Sequence, residues 1–307
     1  MTDNGWSVVT GANGYSGRAI TQQLLSLGRR VKSLTRRTAH RSPFGDRVPM
    51  LPYRFDDIEA LTDSLRGAEV LYNTYWIRFE YDGATFAQTI GRIRQLLQAA
   101  KAAGVKRVVH LSVTNPTASS HLPYYRGKAI VEEAIRSSGL SYAIIRPTVM
   151  YGHDDILINN IAWCLRRFPL FLIPGTGAYR LQPIFVEDVA RMAVELARER
   201  DNLIVDAAGP DMFAFSELVR ALARAVGSRT QMVHAPPAVA CAALRVIGGL
   251  VRDVILTRDE LAGLMGGLLI STSPPRGRTR FTAWLSQHAG HIGRAYASEL
   301  QRNWRFA

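Results

Sequence analysis

The chain has 307 residues, 47% of them hydrophobic, enough to bury a large core as one domain or as a domain with a smaller lobe. Its net charge of +13 is that of many nucleic-acid binders, yet no zinc-finger, RNP or helix-turn-helix signature accompanies it, so no nucleic-acid partner is expected. The two cysteines, Cys164 and Cys241, lack CxxC or CxxH spacing, which argues against a disulfide framework or a zinc site and makes both core residues; no metal is expected.

In chain order, a polar start at 1–5 runs directly into an apolar stretch at 6–10, so no secretory leader is expected and the expected location is cytoplasmic. Strand-like runs at 6–10, 31–35, 50–55, 69–73, 106–112 and 141–146 alternate with helical patterns at 15–27, 57–66, 84–103 and 124–138. This alternation predicts an α/β fold, a Rossmann-type doubly wound parallel sheet occupying residues 1–150. Beyond Pro147 the alternation loosens into helices at 154–167, 187–199, 215–226, 236–250 and 258–268 and strands at 202–206 and 230–234. Residues 151–307 are therefore expected to form a smaller, mainly helical substrate lobe, with 184–206 returning to the sheet. The apolar run at 236–256 is broken by Arg245, Arg252 and Asp253, which suits an amphipathic or pocket-lining helix better than a membrane span.

Between the first strand and the first helix lies VVTGANGYSGRAI, with Gly11, Gly14 and Gly17 at the turn. Glycine suits a tight turn, close approach of backbone to a pyrophosphate, and packing of helix on strand, with the phosphates at the positive end of the helix. After the second strand an NAD site places an acid for the ribose hydroxyls; here Arg36 and Arg37 follow, with no acid before Asp46. Two guanidiniums suit a 2′-phosphate, so NADP(H) is the expected cofactor.

Together with this loop, the HLS ending of the fifth strand at 110–112, YYRGK at 124–128, IIRPT at 144–148 and PIFVEDVA at 183–190 resemble the short-chain dehydrogenase/reductase superfamily in its extended and atypical branches. The chain is most similar there to proteins related to the nicotinamide-binding accessory subunit of respiratory complex I and to the NmrA-like branch. The resemblance implies Tyr124, Lys128 and Thr114 as the catalytic group. It places Gly11, Asn13, Gly14, Tyr15, Ser16, Gly17, Arg36, Arg37, Thr74, Ser112, Lys128 and Pro147 along the cofactor. Tyr124 and Lys128, four residues apart, share a helix face, so the ammonium can lower the phenol's pKa and also serve the nicotinamide ribose. The phenol can then give a proton to a carbonyl oxygen while Thr114 hydrogen-bonds that oxygen.

Two features depart from the family pattern. Thr114 and Tyr124 are only ten residues apart, and the bulky Tyr75 and Trp76 follow the fourth strand where small residues are usual; these two are either core packing or a wall of the site. The arginine that holds a sugar-nucleotide diphosphate in extended members aligns with Leu181, with Arg180 adjacent, which disfavours that substrate. Apolar segments around Leu157, Trp163, Phe168 and Phe171, and at 235–256 and 261–270, are either core or the wall of a pocket for a lipophilic carbonyl compound. Three functions stay open: an NADPH-dependent carbonyl reductase or the reverse dehydrogenase, an NADP(H)-holding structural or redox-sensing protein, and an epimerase or dehydratase with retained cofactor. A monomer or homodimer is expected. Basic residues concentrate at 29–41 and 271–307, which hold +11 of the +13, and the second stretch raises the expectation of peripheral contact with the inner membrane face.

Overall fold

The computed structural model describes residues 5–36 and 42–304. Within them the chain opens with β1 (Trp6–Thr10), α1 (Tyr15–Ser26), β2 (Arg30–Thr35), β3 (Met50–Pro52), α2 (Ile58–Leu65) and β4 (Ala68–Asn73). Next come α3 (Phe86–Ala102), β5 (Arg107–Leu111), α4 (Pro123–Arg136), β6 (Ser141–Pro147), β7 (Val149–Tyr151), α5 (Leu157–Arg167) and β8 (Leu170–Pro174). Then follow β9 (Arg180–Leu181), β10 (Pro183–Phe185), α6 (Val186–Leu196), β11 (Leu203–Ala207), β12 (Phe213–Ala214), α7 (Phe215–Ala225) and β13 (Gln231–Ala235). The last are α8 (Pro237–Val251), α9 (Arg258–Met265), α10 (Phe281–His288) and α11 (Glu299–Asn303).

Two compact units result, one of Met1–Pro147 with Val186–Val205 and one of Thr148–Phe185 with Asp206–Ala307. The expected doubly wound fold is present: a seven-stranded sheet ordered β11-β6-β5-β4-β1-β2-β3, whose pairings from β6 to β3 are all parallel. The middles of its strands are apolar, as in Val8–Val9, Val70–Leu71, Val108–Val109 and Ala143–Ile145, which suits a sheet with helices on both faces. On one face α2, α3 and α4 pack around Leu34, Leu71, Val108, Ile93, Leu96 and Ile135; α1 and α6 pack against each other in the same unit. Helix starts are set by local caps where the sequence provides them, as at Asp57 for α2 and the Thr85/Gln88 capping box of α3.

β3 stops at Pro52 rather than running on to residue 55. The Tyr53 N–H still donates to the Thr35 carbonyl at 3.0 Å, but Tyr53 and Phe55 then stack at 4.2 Å and gather around Tyr75, so aromatic packing ends the strand. The second unit holds the strand expected at 230–234, here β13 paired with β8, and two further short pairs that the sequence pattern did not announce, β7 with β10 and β9 with β12. Its core joins Tyr151, Leu181, Phe215, Leu218, Phe281 and Trp284. α10 and α11 were also unannounced: Asp211, far away in sequence, accepts from Phe281 N–H at the start of α10, and the five-residue α11 combines a local Ser298 cap on Gln301 N–H with the distant Asp253, which accepts from Glu299 and Leu300 N–H.

Candidate cofactor and nicotinamide site

The glycine loop is fixed from three sides. Gly11, at φ +68°, takes a conformation that favours glycine. Its N–H donates to the Leu34 carbonyl at 2.8 Å, and the Ala12 N–H donates to Ser33 Oγ at 3.0 Å, tying the loop to β2. A Cβ on Gly17 would lie 2.2 Å from the Gly11 carbonyl oxygen, so α1 approaches the loop as closely as only glycine allows. Gly14 is the N-cap of α1, with extended backbone, no side-chain cap and no acid in the first turn. The positive end of this helix is thus left for an anion. Beside it, the buried Asn13 Oδ1 has no hydrogen-bond partner among the described residues, an acceptor fit for a sugar hydroxyl. Tyr15 and Ser16 form the first turn. These residues fit the diphosphate and ribose of a dinucleotide.

Arg36 follows β2 directly and is exposed. Arg37 lies outside the described residues. Thr74, after β4, is spent on positioning: its N–H donates to Thr10 Oγ1 at 2.8 Å and its hydroxyl donates to the Thr10 carbonyl at 2.5 Å, locking the end of β4 to that of β1. The same network runs inward, with Thr10 Oγ1 donating to Asn73 Oδ1 at 3.3 Å and Asn73 Nδ2 lying 3.1 Å from His110 Nδ1. Burial, with the Lys128 charge adding to it, holds the His110 imidazole well below its ordinary pKa and therefore neutral.

Pro123 opens α4, and Tyr124, Lys128 and Glu132 then succeed one another at four-residue steps on one face. Lys128 is 3% exposed and donates to the Leu111 carbonyl at 2.8 Å. Burial draws its pKa down to about 7, while Glu132 pulls it back up. The Trp76 indole covers the ammonium, Nζ lying 4.7 Å from the ring centroid, and Gly127 makes room for it: a Cβ there would sit 2.9 Å from the indole edge. Trp76 also stacks on Phe86 at 5.6 Å and meets Tyr124 edge-on at 6.0 Å. Tyr75 turns instead to Tyr53 and Phe55, with Arg92 donating to its hydroxyl at 3.3 Å, and is core packing.

Ser112 Oγ donates to Glu132 Oε1 at 2.5 Å, and Arg146 grips the same carboxylate through Nε at 3.0 Å and Nη2 at 2.5 Å. Thr114 is fully buried, with its N–H on the Pro147 carbonyl at 3.0 Å and its hydroxyl directed to the same oxygen at 3.4 Å. Tyr124 and Lys128 are thus brought together by one helix, whereas Ser112 and Thr114 are oriented by partners on α4 and β6. Sequence reasoning missed Glu132 and Arg146, which brace this floor, and the Asn73–His110 link. The signal was present: Glu132 stands four residues after Lys128, and Arg146 lies within IIRPT.

In the second unit, Leu181 is fully buried, while Arg180 on β9 is exposed, with Nη1 3.9 Å from Met212 Sδ. Leu157, Phe171 and Leu261 pack into that unit's core.

Fold and site together define a dinucleotide-binding protein. Residues 11–160 match the NAD(P)H-binding family model. This match covers just under half of the chain. The chain is 27% identical over 223 residues to the mitochondrial NADH dehydrogenase [ubiquinone] 1 alpha subcomplex subunit 9 of Arabidopsis thaliana, covering 69% of this chain and 56% of that protein. The subunit of the same name from Rattus norvegicus is 28% identical over 226 residues, 70% of this chain and 59% of that one. The chain therefore spans under two thirds of the length of these relatives. Among solved structures, MoeE5 in complex with UDP-glucose and NAD superposes with a TM-score of 0.69 at 20% identity, over 93% of this chain and 98% of that one. The UDP-glucose 4-epimerase of Thermus thermophilus with NAD gives 0.69 at 19% identity, over 94% and 99%. At these identities the likeness is one of fold.

Proposed function

We propose that the chain binds NADP(H) and exchanges hydride with a lipophilic carbonyl or alcohol, Tyr124 acting as the general acid/base. The observation that carries this is the shared face of α4, where Tyr124 and a buried Lys128 stand one turn apart. The cofactor, when bound, supplies or takes the hydride. Tyr124 moves the proton at the substrate oxygen, and Lys128, held by the Leu111 carbonyl, stabilises the phenolate that results. Glu132, fixed by Arg146 and Ser112, keeps a counter-charge one turn below Lys128. The preference for NADP(H) rests on Arg36 and Arg37 in the place of an acid. Trp76 and Phe86 line the approach to Tyr124 with flat apolar rings, which suits a quinone or aryl ketone. A nucleotide sugar is disfavoured by the buried Leu181 where an arginine would be needed.

A protein that holds NADP(H) without turnover is favoured by one specific observation, the Trp76 ring lying over the Lys128 ammonium. The two functions separate in an assay of NADPH oxidation with lipophilic aldehydes, ketones and quinones. Turnover should be found in the wild type, and Tyr124→Phe should lower it about 10² to 10⁴-fold while leaving NADPH affinity nearly unchanged. Equal turnover in the two would refute the role of Tyr124. Tight NADPH binding without turnover, in the wild type and in Trp76→Ala alike, would establish the holding function instead.

A further inference from the structure

Five of the nine large hydrophobic side chains exposed among the described residues belong to three neighbouring elements: Leu170 on β8, Val233 on β13, and Val239, Val246 and Leu250 on α8. Val246 and Leu250 are 67% and 77% exposed, and with Val239 their spacing of seven and four residues puts them in one stripe along the helix. α8 contains no acid; Arg245 within it and Arg252 just after it are exposed, and Arg245 has no ion-pair partner among the described residues.

The end of α8 leads into a basic and aromatic corner. Asp253, at the end of α8, accepts from the Tyr296 hydroxyl at 2.8 Å; Tyr296 meets Trp163 at 5.2 Å, and the Arg167 guanidinium lies 4.9 Å above the Trp163 ring. Arg167 donates to the Gly293 and Arg294 carbonyls, and Arg166 to those of Ile292, Val226 and Ala289. Burial, then Arg294 and Arg167, draws the Arg166 pKa below its ordinary value, which reports three guanidiniums gathered together. None of the three has a carboxylate partner among the described residues, and Asp253, the acid that follows α8, is taken up by Tyr296 and the first turn of α11.

We infer that α8 and the adjoining Trp163–Arg167–Arg294 corner dock on the surface of an anionic lipid bilayer. Apolar side chains raised from a helix, an aromatic ring at one end and uncompensated guanidiniums beside it match the layers of such a surface: acyl boundary, interface and headgroup phosphate. No helix among the described residues is long and apolar enough to cross a membrane, so the contact is peripheral. A second copy docked through the same face would set these guanidiniums against their own kind, which charge repulsion opposes. The basic stretch at 271–307 contributes through Arg294, whereas Arg280 is held by Asp211 at 2.7 Å.

The test is co-sedimentation of the full chain with vesicles of phosphatidylcholine alone and of phosphatidylcholine mixed with phosphatidylglycerol. Pelleting should require phosphatidylglycerol, weaken as salt rises, and fall about tenfold or more in Val246→Glu/Leu250→Glu and in Arg245→Glu. All three side chains are exposed, and an unchanged melting temperature checks that the variants fold. The inference is overturned if the wild type binds neither vesicle, if it binds both equally, or if the variants pellet as it does. It is likewise overturned if light scattering finds a dimer that the double variant dissociates while no vesicle binding is seen.

Discussion

At the scale of single residues, the site is governed by what burial does to Lys128. Its pKa stands near 7 in the folded chain, against 10.5 for an ordinary lysine. Below about pH 7 folded and unfolded chains both carry the proton, and the fold bears the whole cost of a buried charge. Above it the folded chain sheds the proton while the unfolded chain keeps it until about pH 10.5, so this residue's contribution to stability improves as pH rises through that window. Lys128→Met has no such proton. The unfolding free energy of the wild type relative to Lys128→Met should therefore shift in favour of the wild type between about pH 7 and about pH 9, as urea titrations at the two pH values would record. A difference that does not change with pH would mean that Trp76, Leu111 and Glu132 keep the ammonium charged throughout. The spacing of Tyr124 and Lys128 made this pair visible in the sequence. The indole over it was not, because the space that Gly127 leaves for Trp76 is a tertiary fact: the two lie fifty-one positions apart.

At the scale of elements, the turn from β1 into α1 assigns different tasks to its glycines. Gly17 is a packing position, where any Cβ would run into the Gly11 carbonyl. Gly14 has an ordinary φ of −77° and a Cβ would lie 3.1 Å from the same oxygen, so a side chain there asks the loop to give by a few tenths of an ångström, far less than at Gly17, and projects at the uncapped helix start. Gly14→Val should accordingly lose NADPH binding while its melting temperature stays close to the wild type, whereas Gly17→Val should be destabilised by about 1–3 kcal/mol or more from overpacking. Thermal melts and cofactor titrations of the two variants measure this; normal NADPH binding by Gly14→Val would reduce the loop to a turn. Elements with local signals, such as the glycine turn, the Asp57 cap and the Thr85/Gln88 box, were legible. α10 was not, since the carboxylate that starts it, Asp211, comes from elsewhere in the chain, and α11, though capped locally by Ser298, is only five residues long and leans on the distant Asp253. The apolar segments at Leu157, Phe171 and Leu261 were ambiguous for a similar reason: periodicity marks a buried face without saying whether core or ligand covers it.

At the scale of the molecule, the alternation of strand and helix through the first half led to the fold, because a parallel sheet needs a covering helix after nearly every strand. The irregular second unit, with three two-stranded pairs, offers no such repeat. Charge is likewise distributed by position rather than by total: +13 over the chain, with arginines following β2 and others gathered beside α8. The first group bears on the central claim, that the glycine turn and the end of β2 together form an NADP(H) site. Calorimetric titration of the wild type with NADPH and with NADH tests it most directly. The expected result is binding of NADPH at least about tenfold tighter than NADH, equivalent to about 1.4 kcal/mol or more of charge-assisted bonding to the 2′-phosphate, and loss of that margin in Arg36→Ala. Equal affinity for the two cofactors, or binding of neither, would contradict it.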